Sequence, residues 1–350
     1  KFYLLSIKLM GLNWMSEILL DKSAFLSNLT KIAQKLGGKE KIMLIAKDNS
    51  YGHGSTQIAG IAREFGIKKA VVKSEMEAEQ IAEFYDEILI LSHIPTGCEK
   101  TDFSYAINDM SHFSKIKNGS KVHISVDTLM HRNGILPEQL DDALRLVREN
   151  HLNLGGFYTH FRASDEIGSD FFVQRENWRN FKISAQKKCK NLGFNVVFHS
   201  CNSAAIERSE EFSDDFARVG MAQFGYFQFS EILGLKPVLS LYADRISSRL
   251  LKKGERVGYG GVFEAPCDIL ISTYDLGYGD GLLRYNGKGD LRLGNNEKIL
   301  GKMSMDSFAS KDAGERVCVF DDARVWARFF NTIEYEILVK LSANIKRTVK

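Results

Sequence analysis

Eight short apolar segments alternate with segments of helical spacing over the first two thirds of the chain. Each apolar segment is bounded by turn residues and is too short for a helix, which predicts buried strands at 41–47, 70–73, 87–91, 103–107, 121–126, 155–159, 196–200 and 216–218. Eight strands alternating with helices are typical of a (β/α)8 TIM-type barrel, an α/β fold, rather than of an open doubly wound sheet. Because no Gly-x-Gly-x-x-Gly sequence follows the first strand, a dinucleotide-binding fold is disfavoured.

The pattern of the sequence changes after residue 230. From there, short strand-like runs are separated by Gly, Asn and Asp, and helical spacing returns only near Thr332. We therefore predict a barrel domain at 15–230 and a smaller, mostly β domain at 231–350. The segment 1–14 is largely apolar with Lys8 in its middle, is too short to span a membrane and lacks a small-residue cleavage site. We expect it to be an extension outside the fold.

Composition limits the classes of partner. A length of 350 residues, with 44% hydrophobic and 26% charged residues, is typical of a soluble globular protein with two domains. A net charge of +3, without a dense block of Lys or Arg, argues against nucleic acid and membrane surfaces and favours a small anionic ligand. The five cysteines are scattered and lack zinc-binding spacing, so we expect reduced core thiols of a cytoplasmic protein and no metal.

The first predicted strand ends at a lysine, Lys47, which Tyr51 and the glycines Gly52 and Gly54 follow closely. A lysine held at the mouth of a parallel-sheet core can be desolvated, and its amine then becomes nucleophilic enough to form a Schiff base. The alternative is a solvated lysine at the end of a strand.

Polar residues also follow four further predicted strands, in the segments 126–132, 158–161, 199–203 and 218–221. In a (β/α)8 barrel the carboxyl ends of the strands form the face that carries the active site. Each of these segments alone is more often structural than catalytic. Together with Lys47, they indicate one active site.

These segments, and the string from Ile42 to Gly54 above all, resemble alanine racemase, a pyridoxal-phosphate enzyme, from about residue 15 to the last residue. The resemblance implies that Lys47 forms the internal aldimine with the cofactor. It implies that Arg132 contacts the phenolic oxygen of the cofactor and the carboxylate region of the substrate. The residues that would surround the phosphate through hydroxyl, amide and backbone N–H donors are Tyr51, Asn202, Ser203, Gly220 and Met221.

By the same resemblance, Arg218 would face the pyridine nitrogen of the cofactor. An arginine cannot deliver a proton because its pKa is too high, so the ring would stay unprotonated and would be a weaker electron sink. This favours returning the proton to Cα over side reactions. The alternative for Arg218 is a salt bridge to Asp214 or Asp215.

Racemisation requires a proton to leave one face of a planar carbanion and another to arrive on the opposite face. Lys47 would serve one face, and the segment 254–260 resembles the family's catalytic tyrosine segment, which makes Tyr259 the second base. A tyrosine needs a lowered pKa for this task, and His160 with Arg218 behind it would provide that. The alternative for Tyr259 is a strand tyrosine before a glycine turn.

In the family this tyrosine enters the active site of the partner subunit, so the resemblance implies a head-to-tail homodimer. The segment 276–284 resembles the family's entrance segment, in which Tyr278 would gate access and Arg284 would line the corridor. The segment 301–306 resembles its substrate-carboxylate segment, in which Met305 and Asp306 approach the partner's cofactor.

The sequence departs from the family pattern at a few positions. Ser125 stands where many members carry a carbamylated lysine, so Arg132 must be oriented in another way, such as by a bound anion. Val349 stands near the place of a tyrosine that touches the phosphate, which removes one phosphate contact. Leu129 and Ser304 replace a glycine and a cysteine.

Three functions are compared. The first is an alanine racemase that interconverts L- and D-alanine and supplies D-alanine for cell-wall peptidoglycan in a bacterial cytoplasm. The second is a pyridoxal-phosphate amino-acid decarboxylase of the same fold type or a racemase of broader specificity; such decarboxylases have His-x-Gly-Ser where this chain has His160-Phe161-Arg162-Ala163. The third is a non-catalytic pyridoxal-phosphate carrier, against which the β domain with Tyr259 argues.

Overall fold

The computed structural model describes residues 16–227, 229 and 232–350. The extension expected at 1–14 lies outside the described residues. Contacts between residues group the chain into two compact units. One unit comprises residues 21–238, and the other combines residues 239–350 with the strand β1 (Glu17–Leu20).

The first unit contains eight parallel strands, which confirms the (β/α)8 barrel expected from the sequence. The first seven strands pair in chain order, and the eighth pairs with the first rather than with the seventh, so the sheet is nearly closed. The strands are β2 (Ile42–Ile45), β3 (Lys69–Val72), β4 (Glu87–Ile90), β5 (Ser104–Ile107), β6 (Lys121–Ser125), β7 (Asn153–Tyr158), β8 (Val197–His199) and β9 (Ala217–Val219).

Helices occupy most of the connections between these strands. The first of them begins at Asp21, whose carboxylate accepts a hydrogen bond from the N–H of Ala24, and it ends at Gly37 in the left-handed conformation. The helices of this unit are α1 (Lys22–Leu36), α2 (Ser55–Phe65), α3 (Glu75–Ile81), α4 (Leu140–Glu149), α5 (Asp170–Leu192) and α6 (Ser203–Arg208). Short 3-10 turns lie at Lys39–Lys41, Ala82–Phe84, Met110–His112, Pro137–Gln139 and Met221–Phe224.

The second unit is built mainly of antiparallel strands, as expected. They are β10 (Leu239–Leu251), β11 (Arg256–Val257), β12 (Phe263–Glu264), β13 (Ile269–Tyr274), β14 (Ile299–Leu300), β15 (Phe308–Lys311), β16 (Arg316–Phe320) and β17 (Lys346–Val349). Its sheet has the order β14-β15-β13-β10-β1-β17, with β16 also beside β10, while β11 and β12 form a separate hairpin. Two helices, α7 (Ala323–Phe330) and α8 (Glu334–Val339), complete it.

Three details of this unit differ from the expectation. The strand β1 pairs with β10 and β17, although the sequence analysis counts residues 15–20 with the barrel. The helix α7 begins earlier than the helical spacing expected near Thr332, because Asp322 caps it through the N–H of Arg324. The run 290–293, one of the short strand-like runs predicted after residue 230, forms only an isolated bridge between Arg292 and Lys298. The exact domain boundaries stay a prediction.

The five cysteines are free, in agreement with the expectation. Cys189 and Cys201 are buried, but Cys98 and Cys267 are exposed, so the expectation of core thiols is wrong for these two. Within residues 16–227, 229 and 232–350, no helix is long and apolar enough to cross a membrane.

One carboxylate in the second unit is buried without full compensation. The Oδ1 atom of Asp275 accepts the N–H of Asp244 at 2.6 Å, while its Oδ2 atom has no hydrogen-bond partner among the described residues. Burial raises the pKa of Asp275 to about 6, and the neighbouring charge of Asp244 adds to this rise. Between the unfolded pKa and about pH 6, the native protein therefore binds a proton at Asp275 that the unfolded chain has released.

We expect Asp275→Asn to raise the free energy of unfolding by about 1 to 3 kcal/mol near pH 8. Since the native pKa lies above the unfolded value, the stabilising effect of this group is complete below the unfolded pKa and is lost as the pH rises through 6. The variant lacks this decline. Urea unfolding at about pH 5 and pH 8 measures it, with Asp268→Asn, whose carboxylate is exposed beside Lys252, as the control. An unchanged pH dependence would contradict the prediction.

Candidate active site

The strand β2 leads directly into a left-handed turn, Lys47–Tyr51. The residues Asp48, Asn49, Ser50 and Tyr51 have φ angles of 52°, 54°, 50° and 52°. Each non-glycine residue in this conformation costs roughly 1–2 kcal/mol. Strain of this size persists only where the surroundings hold it, and it is concentrated at functional sites.

Backbone and side-chain hydrogen bonds hold the turn closed. The N–H of Ser50 donates to the carbonyl of Ala46 at 3.2 Å, and the side chain of Asn49 accepts the N–H of Ser55 at 2.9 Å. The carboxylate of Glu77 accepts the N–H of Asp48 at 2.6 Å. Lys47 itself is half-buried at the end of the strand, where the sequence analysis expects it.

Arg218, at the centre of the short strand β9, is 4% exposed. Its guanidinium donates to the carbonyl oxygens of Thr159 at 2.6 Å and of Ser200 at 3.2 Å, and to Nδ1 of His199 at 2.9 Å. In the described part of the chain no carboxylate lies within ion-pair distance of it. The alternative of a salt bridge to Asp214 is wrong, because Asp214 pairs with Lys182 instead. Asp215 likewise forms no such pair.

A pair of buried histidines continues from Arg218 into the barrel. Because an arginine only donates, Nδ1 of His199 must accept, and its Nε2 therefore carries the proton. That proton points to Nδ1 of His123, 2.9 Å away. Burial, then the charge of Arg218, lowers the pKa of His199 well below its usual value, so both hydrogen bonds involve a neutral ring.

His160 follows β7 and lies close to the cationic residues of the site. Burial lowers the pKa of His160 to about 3, and the positive charges of Arg218, Arg132 and Lys47 contribute in that order. The ring is therefore neutral near pH 7. The charges of Arg218, Arg132 and Lys47 therefore act on the same histidine.

The backbone at Gly220 lies against two hydroxyl groups. A Cβ atom at this glycine would lie 3.1 Å from the hydroxyl of Tyr51 and 3.6 Å from that of Ser203. The Ser203 hydroxyl accepts the N–H groups of Gly220 and Ala222 at 3.0 and 3.2 Å. Two hydroxyls therefore approach the backbone where a side chain is absent, and hydroxyl donors suit a phosphate.

Two further predicted phosphate residues border the same strand ends. Asn202 caps α6 with its side-chain oxygen, which accepts the N–H of Ala205 at 2.9 Å. The amide N–H groups of Asn202 therefore take no part in the helix cap. Met221 is fully buried in the turn that follows Gly220.

Arg132 lies in the loop after β6 and is exposed. It forms no hydrogen bond or ion pair within the described parts of the chain. Asp127 shapes this loop, since its Oδ1 atom accepts the N–H groups of Leu129 and His131, both at 3.0 Å. Ser125 is buried beside Tyr158, and no hydrogen bond joins it to Arg132 among the described residues.

Three loops of the second unit lie together and carry the remaining predicted residues. Tyr259 is 63% exposed on the 3-10 turn Tyr259–Gly261, and Gly301 packs against the carbonyl of Val257 just before it. The N–H of Gly279 donates to the carbonyl of Met305 at 2.8 Å. The 301–306 segment thus joins the tyrosine turn to the 276–284 segment.

The side chains of these loops are largely accessible. Tyr278 is 36% exposed with the guanidinium carbon of Arg284 5.5 Å from its ring centre, and Met305 is 54% exposed next to the exposed Asp306. No group of three or more His, Cys, Asp or Glu side chains suited to a metal occurs among the residues described.

Comparison with known proteins identifies the family. The family model of the alanine racemase N-terminal domain matches residues 20–228, and that of its C-terminal domain matches residues 238–349. An alanine racemase of Campylobacter concisus is 57% identical over 334 residues, covering 95% of this chain and 99% of its own length. The chain belongs to the alanine racemase family. Its members are pyridoxal-phosphate-dependent isomerases, and the chain is an enzyme of this class.

Solved structures of alanine racemases share the fold. That of Bacillus anthracis with bound L-Ala-P is 26% identical, with a TM-score of 0.85, 97% of this chain and 96% of that chain being covered. That of Bartonella henselae with covalently bound pyridoxal phosphate is 22% identical, with a TM-score of 0.81 and coverage of 96% and 99%. The decarboxylase alternative is not favoured by these likenesses.

Two residues at the site were not identified from the sequence. His199, whose Nδ1 accepts from Arg218, lies in the polar segment 199–203 that follows the seventh predicted strand, but the sequence predicts no role for it. Glu77 stands three residues after Ser74, a spacing that predicts a contact within the helix cap and not with the lysine turn.

Proposed function

We propose that Lys47 carries pyridoxal phosphate and that the groups around Gly220 hold its phosphate. The cofactor needs an amine for its aldehyde and a cluster of neutral donors for its phosphate, and the position of Lys47 and Gly220 just after barrel strands supports the proposal. The hydroxyls of Tyr51 and Ser203, the amide of Asn202 and the N–H of Met221 supply the donors. When bound, pyridoxal phosphate supplies the electron sink that makes the α-proton of an amino acid acidic.

Lys47 and Tyr259 are proposed as the two bases. Inverting a carbon centre by proton transfer needs one group on each face of the plane, and a single side chain does not reach both. The amine of Lys47 holds the proton on one face, and the hydroxyl of Tyr259 on the other. The high exposure of Tyr259 suits a residue that acts in a neighbouring copy.

Arg218 and His160 are proposed to set the electrostatics of the reaction. Arg218 faces the pyridine nitrogen and cannot give up its proton, so the nitrogen stays unprotonated. His160 is neutral near pH 7 and lies under the influence of the charge of Arg218.

The remaining residues are proposed to bind the substrate and to line its entrance. Arg132, Met305 and Asp306 bind its carboxylate end, while Tyr278 and Arg284 line the entrance. Because Tyr259, Tyr278 and Met305 are exposed in the single chain, we propose a head-to-tail homodimer in which each copy completes the site of the other. The enzyme would act in the bacterial cytoplasm and supply D-alanine to peptidoglycan synthesis.

The observation that carries this function is Lys47 at the barrel rim beside Arg218 and His160, in a chain of the alanine racemase family. The test incubates the purified enzyme with L- or D-alanine in deuterated water and follows α-proton exchange by NMR and enantiomer formation by chiral chromatography. We expect both enantiomers to reach an equal mixture, with serine and lysine reacting more slowly. Release of carbon dioxide from a basic or diamino acid would instead support the decarboxylase.

A further inference from the structure

The carboxylate of Glu77 bridges two backbone groups that belong to different strand ends. Its Oε1 atom accepts the N–H of Asp48 at 2.6 Å, and its Oε2 atom accepts the N–H of Lys73 at 2.8 Å. Asp48 is the first left-handed residue after Lys47, and Lys73 directly follows β3. One side chain on α3 thus ties the lysine turn to the neighbouring strand.

The spacing between Ser74 and Glu77 normally predicts a different hydrogen bond for the carboxylate of Glu77. Ser74 caps α3, accepting the N–H of Glu77, and a glutamate three residues after such a serine usually bonds back to the N–H of the capping residue. Here the Glu77 oxygens bond instead to the N–H groups of Lys73 and Asp48. The carboxylate that would ordinarily complete a helix cap is used for the turn.

A second contact strengthens the same connection. The ammonium group of Lys73 lies 3.2 Å from the carboxylate of Asp48, and this contact raises the pKa of Lys73 above its usual value. Asp48 is thereby held through its backbone by Glu77 and through its side chain by Lys73. A hydrogen bond to a charged acceptor is stronger than a neutral one, so Glu77 offsets part of the strain in the turn.

We propose that Glu77 is a positioning residue for Lys47. By binding the N–H of Asp48 it keeps the left-handed turn wound, and the turn fixes where the Lys47 amine and the Tyr51 hydroxyl stand relative to each other. The Lys47 amine lies 6.0 Å from the centre of the Tyr51 ring. The inference rests on the proposed attachment of the cofactor at Lys47.

The test compares Glu77→Ala and Glu77→Gln with Glu79→Ala. Glu79 is exposed on the same helix and pairs with Lys100, so its loss leaves the turn untouched. Glutamine offers one acceptor oxygen and can replace only one of the two hydrogen bonds. We therefore expect a graded loss, large for Glu77→Ala, intermediate for Glu77→Gln and absent for Glu79→Ala.

Two measurements are made on each variant. Hydrogen exchange of the cofactor-free protein should be about tenfold or more faster in Glu77→Ala for the peptide 47–54, while the rest of the barrel keeps its protection. Each variant is also titrated with pyridoxal phosphate and treated with borohydride, and mass spectrometry measures the labelled fraction of the Lys47 peptide. The affinity of Glu77→Ala for the cofactor should be at least tenfold weaker than that of the unaltered protein.

The outcomes separate the possible roles. Unchanged exchange of the 47–54 peptide in Glu77→Ala, with a lower melting temperature, means that Glu77 only caps α3 and overturns the proposal. If Glu77→Ala does not fold, the same comparison is made with Glu77→Gln. If the unaltered protein is not labelled at Lys47, the proposed function fails, and the exchange result still shows whether Glu77 holds the turn.

Discussion

Replacing Lys47 by alanine is expected to lower kcat for racemisation by about four orders of magnitude or more. The substitution removes both the amine that holds the cofactor and the base on one face of the substrate. Lys47→Arg is expected to be as inactive, because a guanidinium keeps the charge but is too weak a base and nucleophile. The measurement is initial racemisation rate at saturating pyridoxal phosphate.

The matched control for this prediction is Lys68→Ala, which removes an exposed lysine that lies 3.8 Å from Asp86 at the surface. It should retain the activity of the unaltered enzyme. Added methylamine should restore a small part of the activity of Lys47→Ala, since a free amine can enter the space left by the side chain. Residual activity above about one per cent of normal, without added amine, would contradict the assigned role.

Replacing Tyr259 by phenylalanine is expected to slow racemisation by about a hundredfold to ten-thousandfold in both directions. The loss should be selective in a second respect. Because Lys47 still serves one face, one enantiomer of alanine should continue to exchange its α-proton with deuterated water while its conversion to the other enantiomer is blocked. Exchange and racemisation are measured in the same NMR sample.

Val262→Ala provides the control, since Val262 is 46% exposed immediately after the same turn and carries no group that could move a proton. Loss of the hydroxyl of an exposed tyrosine should not change the unfolding midpoint, which excludes a structural cause. If both enantiomers kept full exchange and racemisation, Tyr259 would not be the second base.

The sequence predicts the barrel well because buried parallel strands are nearly continuous apolar runs. The segment 87–91 predicts the strand Glu87–Ile90, and 121–126 predicts Lys121–Ser125. The local sequence does not predict to which sheet a strand belongs. Glu17–Leu20 has an ordinary strand pattern, and its partners β10 and β17 lie more than two hundred residues away along the chain.

The residues of the site likewise divide into those that the sequence predicts and those that it does not. The sequence predicts Lys47, His160 and Arg218 at the carboxyl ends of barrel strands; Arg218 lies within β9, and its charge and that of Lys47 both act on His160. The role of Glu77 does not follow, because its spacing from Ser74 predicts a contact within the helix cap rather than with the lysine turn. Glu75, on the same helix, accepts a hydrogen bond from the hydroxyl of Tyr105. Only the folded structure shows which glutamate contacts which group.

The environment of Arg218 has a consequence for whatever binds beside it. Carbonyl oxygens and the lone pair of His199 surround the guanidinium, so dipoles rather than a counter-ion solvate the buried charge. An ion pair would cancel most of the electric field of the arginine at short range. Solvation by fixed dipoles leaves a larger share of that field directed toward the open side of the barrel, where it can act on an electron-rich partner.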